Sequence, residues 1–201
     1  MEYLVTGARA LLALVFLVSF VSKITGPAAF TGFLGSVRAM GVTSPALLRP
    51  VAHTVIAAEA AVCVLLALPA RKATTAGLLV AAVLLTAFTA GIAAAVRRGA
   101  TAPCRCFGAS TTPVGVGHIV RNSVLCAVAV TGALAGPAAG AAGPGGLVVA
   151  AIGGTVVGAV VTQLDHVLAL FRPLPRDAAR ERAADTGRRP GRPAGPARNR
   201  T

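Results

Sequence analysis

The chain contains no tryptophan, one tyrosine, and only six acidic residues among 201. Charged residues make up 12% of it, against about 25% in an ordinary soluble domain. That shortage excludes a conventional water-soluble fold, because too few polar groups remain to cover its surface. The formal charge of +13 suggests a nucleic-acid surface, but the body offers no polar domain on which bases could be bound. Nine arginines and three acids fall in residues 172–201, so about half of the excess charge sits in that tail. Cysteine is also scarce, at four residues. In a chain that is not a small secreted domain, this count does not imply a disulfide framework.

What remains is apolar: 55% of residues are hydrophobic and mean hydropathy is +0.77. A helix needs roughly 20 apolar residues to cross about 30 Å of hydrocarbon. Five segments meet that length, at about residues 4–24, 51–70, 73–96, 118–134 and 147–171. Backbone groups in lipid must be satisfied internally, so these segments are helices. The first is bounded by Lys23 rather than by a small-residue cleavage site, and it reads as a retained span rather than a signal peptide. The expected fold is an all-α polytopic bundle. Residues 4–140 form a four-span core, residues 141–171 a fifth transmembrane helix, and residues 172–201 a disordered basic tail. Between the first two spans, the stretch FTGFLGSVRAMGV predicts a short amphipathic helix at the interface. Arg71 and Lys72 are expected in a tight turn between spans two and three.

Successive spans alternate in direction. The loop after span one, the loop after span three and the tail therefore share one membrane face, here called face B; the other is face A. Lys23, His53, Cys104, Cys106, His118 and Arg121 lie at or near face B, and Asp165 and His166 approach it. Glu59 lies about 12 Å deep at 1.5 Å per residue, and Cys126 lies at a similar depth. Two rules disagree on orientation. The excess of Lys and Arg places face B in the cytoplasm, whereas disulfide chemistry favours the opposite side.

Cys104-Arg105-Cys106-Phe107-Gly108 is the most informative motif. Thiolates are nucleophiles, and neighbouring Arg97, Arg98 and Arg105 favour the ionised form. A disulfide between positions i and i+2 is strained and readily reduced, which suits exchange better than structure. The same loop admits a blander reading, with cysteines that only pack. Zinc is a weaker alternative: Cys104, Cys106, His118 and His53 supply four ligand atoms, but their spacing follows no zinc pattern, and no metal is assigned. Cys63 and Cys126, inside apolar stretches, read first as small packing residues.

Glu59 is the other conspicuous residue. A charged side chain at mid-helix costs about 2.5–3.5 kcal/mol on insertion scales, so it should pair or line a polar cavity. Its candidate partners are Lys23 and Arg121. One reading is a Glu–Arg clamp between spans two and four. The other is a proton carrier for thiol chemistry or a residue of a quinone site, quinone being the one cofactor this carboxylate leaves open. Lys23 by itself is expected to snorkel to the interface, and Asp165-His166 to mark a span end.

Several of these motifs, taken together, resemble the MauE family of membrane proteins, related to the broader DoxX-like group. They are Phe20-Val21-Ser22-Lys23 followed by Pro27 and Phe30, then Glu59, then Arg98-Gly99, then Cys104 to Gly108, then His118-Ile119-Val120-Arg121-Asn122. The likeness covers roughly residues 8–135. It implies a redox-associated protein of a bacterial plasma membrane that works beside a thioredoxin-like partner in maturing a client protein, methylamine dehydrogenase in the named members. On that reading Cys104 and Cys106 are the exchanging pair of a thiol–disulfide oxidoreductase. Glu59, Arg121, Lys23 and His118 support them, and Cys126 is a buried relay thiol. The chain itself carries no thioredoxin domain and no C-x-x-C. A non-catalytic membrane scaffold or a small-molecule transporter is the rival reading.

Overall fold

The computed structural model describes residues 1–41, 43–99, 116–136 and 142–170, with side chains as far as Gln163. Among these residues every regular element is helical: α1 (Glu2–Ile24), α2 (Pro27–Met40), a 3-10 turn (Pro45–Leu47), α3 (Leu48–Ala67), α4 (Arg71–Arg97), α5 (Val116–Ala135) and α6 (Pro144–Leu170). All but α2 are long and apolar enough to cross a membrane. The five apolar segments expected from hydropathy are therefore present as helices of spanning length. By contact the chain divides into Met1–Val167 and Leu168–Thr201, and only the last turn of α6 is described in the second unit.

Local chemistry sets the boundaries. Helix α3 ends three residues before the expected position because Leu68 is extended (φ −69, ψ 131), as a residue before proline prefers. Arg71 and Lys72 are not in the turn, as the sequence reading had them; they open α4. Helix α2 begins with Pro27 at its first turn, where a missing N–H costs nothing. It ends at Gly41, whose φ of 61 is the left-handed conformation that glycine adopts without a Cβ penalty.

Helices α1, α3, α4 and α5 form a ring in which α1 packs on α3 and α5, and α4 packs on the same two. Leu12, Val15, Phe16, Leu66, Leu78, Leu85, Ile92 and Leu125 fill its centre. Lipid is as apolar as leucine, so this packing is held by close contact rather than by expulsion of water. The short helix α2 lies against α1 and α3, burying Phe33 and Val37 on Ala52. Helix α6 approaches α1 backbone to backbone: a Cβ on Gly154 would collide with the Gly7 carbonyl, and one on Gly158 would stand 3.0 Å from the Leu11 carbonyl oxygen.

Two arginines tie helix ends to neighbouring helices. Arg9 on α1 donates from Nη2 to the carbonyls of Ala67 and Leu68, both at 3.1 Å, and from Nε to Leu66. Arg98, just past α4, donates to the carbonyl of Met40 at the end of α2. Each supplies donors where a helix leaves its last carbonyls unsatisfied.

Candidate functional site in the buried polar half of the bundle

Ser19 and Lys23 are four residues apart on α1, so they share one helix face. That face meets Glu59 of α3. Lys23 Nζ lies 2.9 Å from Glu59 Oε1, 2.7 Å from Ser19 Oγ and 3.2 Å from the Ser19 carbonyl oxygen. The Ser19 hydroxyl donates to the same Glu59 oxygen at 2.8 Å. The ammonium thus has three acceptors for its three protons, and the Phe33 ring of α2 lies 5.1 Å away on another side, an attractive position for a cation. Lys23 is 1% exposed and Glu59 0%.

This corrects two expectations. Lys23 does not snorkel outward; it turns inward because a carboxylate, a hydroxyl and a carbonyl await it there. The ion pair that holds Glu59 ties α1 to α3, the first and second spans, where the sequence suggested a clamp between the second and fourth. Ser19 and Phe33 were not singled out from sequence. The four-residue spacing of Ser19 and Lys23 signals the first; nothing local signals the second, which comes from another helix.

The other buried polar groups gather in the same half. Ser36, His118, Arg121 and Asn122 are all buried, and only Thr74 among the described buried polar residues lies towards face A. Asn122 is 0% exposed, and neither its amide nitrogen nor its oxygen has a hydrogen-bond partner among the described residues; the same is true of Glu59 Oε2. Such orphan atoms are uncommon in a protein interior.

The remaining candidates lie apart from the ion pair. Cys126 sits at the α4–α5 seam, with Sγ 3.4 Å from Thr86 Oγ1 and 3.7 Å from the Ala82 carbonyl oxygen. It borders a groove of about 510 Å³ with Thr86, Thr89, Ala93 and Ser123. Cys63, one turn beyond Glu59, is a half-buried free thiol packed against the core. His53 is exposed, its Nδ1 2.8 Å from the Arg49 carbonyl oxygen and its ring 5.2 Å from that of Phe30. Cys104, Arg105 and Cys106 lie outside the described residues, as do the basic tail and the side chains of Asp165 and His166. The α6 helix itself runs through residues 165 and 166 to Leu170. Among the described residues no three His, Cys, Asp or Glu side chains come together in a way that would hold a metal ion.

These features define a multi-pass helical membrane protein with an ion pair buried between its first two spans. A family model agrees: that of methylamine utilisation protein MauE matches residues 1–135. The chain belongs to the MauE family. The matched stretch runs through the end of α5 and includes the cysteine motif, while α6 lies beyond it. No match was found among curated proteins or among solved structures.

Proposed function

We propose that this protein exchanges a disulfide, or the equivalent electron pair, between a thioredoxin-like partner and a client protein during the client's maturation, methylamine dehydrogenase being the model client. The observation that carries this reading is the family match over residues 1–135, which takes in both Cys104 and Cys106. A thiolate of the pair attacks the client disulfide, and a mixed disulfide forms as one client thiolate leaves. The second thiolate then attacks the mixed disulfide, releasing the client dithiol and leaving Cys104 and Cys106 oxidised. Two electrons pass to the client, and the thioredoxin-like partner restores the pair. The same steps in reverse oxidise the client. Glu59, Lys23, Arg121 and His118 support the exchange by keeping the face-B half of the bundle polar. Cys126 serves as a relay thiol. A quinone, the membrane cofactor such chemistry would use, would not reach Glu59 directly, because that carboxylate is 0% exposed and held by Lys23 and Ser19. The setting is a bacterial plasma membrane.

Replacing both loop cysteines with serine should abolish client maturation while leaving membrane insertion unchanged. Full maturation by the Cys104→Ser/Cys106→Ser variant would refute the exchange reading.

One observation favours a second reading, a non-catalytic scaffold. Every proton of the Lys23 ammonium has an acceptor, so the lysine of the buried pair is accounted for by a structural role. A scaffold tolerates loss of Cys104 and Cys106 but fails when Glu59 or Lys23 is changed. An exchange protein fails in both cases.

A further inference from the structure

At the end of the bundle opposite the ion pair, a cavity of about 230 Å³ opens between the start of α1, the turn into α4 and the end of α5. Its walls include Thr6, Arg9, Arg71, Thr74, Thr75 and Gly136.

The threonines there behave unlike the others. A helical threonine commonly donates its hydroxyl to a carbonyl of the preceding turn. Thr31, Thr54, Thr86, Thr89, Thr131, Thr155 and Thr162 all do so. Thr6, Thr74 and Thr75, the three that line the cavity, make no side-chain hydrogen bond among the described residues. Thr74 is only 7% exposed and lines the cavity, so its hydroxyl, with no protein partner there among the described residues, is open to a ligand that enters.

Further donors converge on the same place. Arg9 uses Nε and Nη2 on the end of α3, which leaves the two protons of Nη1. Helix α4 starts at the cavity with Ala70 as its N-cap and no side-chain cap. Its first N–H groups therefore lack intrahelical partners, at the positive end of a 27-residue helix. The one acid in the wall, Glu2, is held by Arg71 at 3.0 Å. Gly136 keeps the space open, since a Cβ there would stand 3.0 Å from Thr75 Oγ1.

Three hydroxyls, a guanidinium edge and a helix N-terminus form a set rich in donors, at the depth where a span meets the headgroups. We propose that this cavity binds a phosphate group at the membrane surface, from an anionic phospholipid headgroup or from free inorganic phosphate. Phosphate oxygens accept from all of these donors, and a helix N-terminus favours their charge. The site does not depend on the exchange reading and lies at the other end of the bundle from the residues that reading uses.

The test is isothermal titration of the full chain in neutral detergent at fixed ionic strength. The probes are dihexanoyl phosphatidylglycerol and potassium phosphate, each run alone and then in competition. Thr74→Val/Thr75→Val keeps side-chain shape but removes two hydroxyls, and it should weaken binding about tenfold or more. Gly136→Ala should weaken it by narrowing the cavity. Circular dichroism checks that each variant keeps its helices. If the double variant unfolds, Thr6→Val, on the first turn of α1, takes its place. Saturable binding of the lipid that phosphate does not displace supports a headgroup site. Saturable binding of phosphate that displaces the lipid, or occurs where the lipid does not bind, supports a free-anion site. No saturable binding of either probe, or equal binding by wild type and variants, overturns the proposal.

Discussion

Lys23 illustrates how a single side chain can be misjudged from its position in a span. Its place in the last turn of α1 points to the interface, yet its ammonium is buried with Ser19 and Glu59. The carboxylate was legible as a residue in need of a partner, because a bare charge in hydrocarbon is costly. The choice between Lys23 and Arg121 was not legible, since it depends on how α1 and α5 are rotated about their axes. Removing one member of a buried pair leaves the other uncompensated and typically costs about 3–5 kcal/mol. Lys23→Met and Glu59→Leu are each expected to lower the thermal midpoint in detergent. The double variant should recover much of the loss, because neither charge is then stranded. A double variant as unstable as the two losses added together would contradict this account.

Among the helices, the five apolar segments could be read directly from run length; their N-terminal ends were displaced by two or three residues and their C-terminal ends by up to three. Proline explains the C-terminal end of α3, and no hydropathy window detects that stop. The short helix between the first two spans was also legible, but not that its Phe33 would close over Lys23, which follows from where α2 docks. The seat of α6 on α1 was not legible, because glycine is frequent throughout the chain and only the structure shows which glycines are in contact. Gly153 and Gly154 are neighbours with opposite surroundings: a Cβ on the first meets nothing within 4 Å, and one on the second meets the Gly7 backbone. Gly154→Leu is therefore expected to push α6 off α1, with an overpacking cost of about 1–3 kcal/mol, visible as faster amide exchange in α6. Gly153→Leu should leave that exchange unchanged. Equal effects of the two substitutions would mean the close approach is not what holds α6.

At the scale of the molecule, five helices among the described residues are long and apolar enough to cross a membrane. If all five cross, an odd number, the two termini emerge on opposite faces. Reporter fusions before residue 1 and after residue 201 are expected to register opposite sides of the membrane. Reporters on the same side would remove one helix from the spanning set. The same measurement settles which orientation rule prevails, the excess of Lys and Arg at face B or the preference of disulfides for an oxidising compartment. The buried pair also bears on how the protein is made. Lys23 leaves the ribosome on the first span and Glu59 on the second, so each charge enters the bilayer before it has met its counterpart. Neither span reaches its final depth at low cost alone. The two would settle as a hairpin, with the α1–α3 contact formed before α4 packs against it.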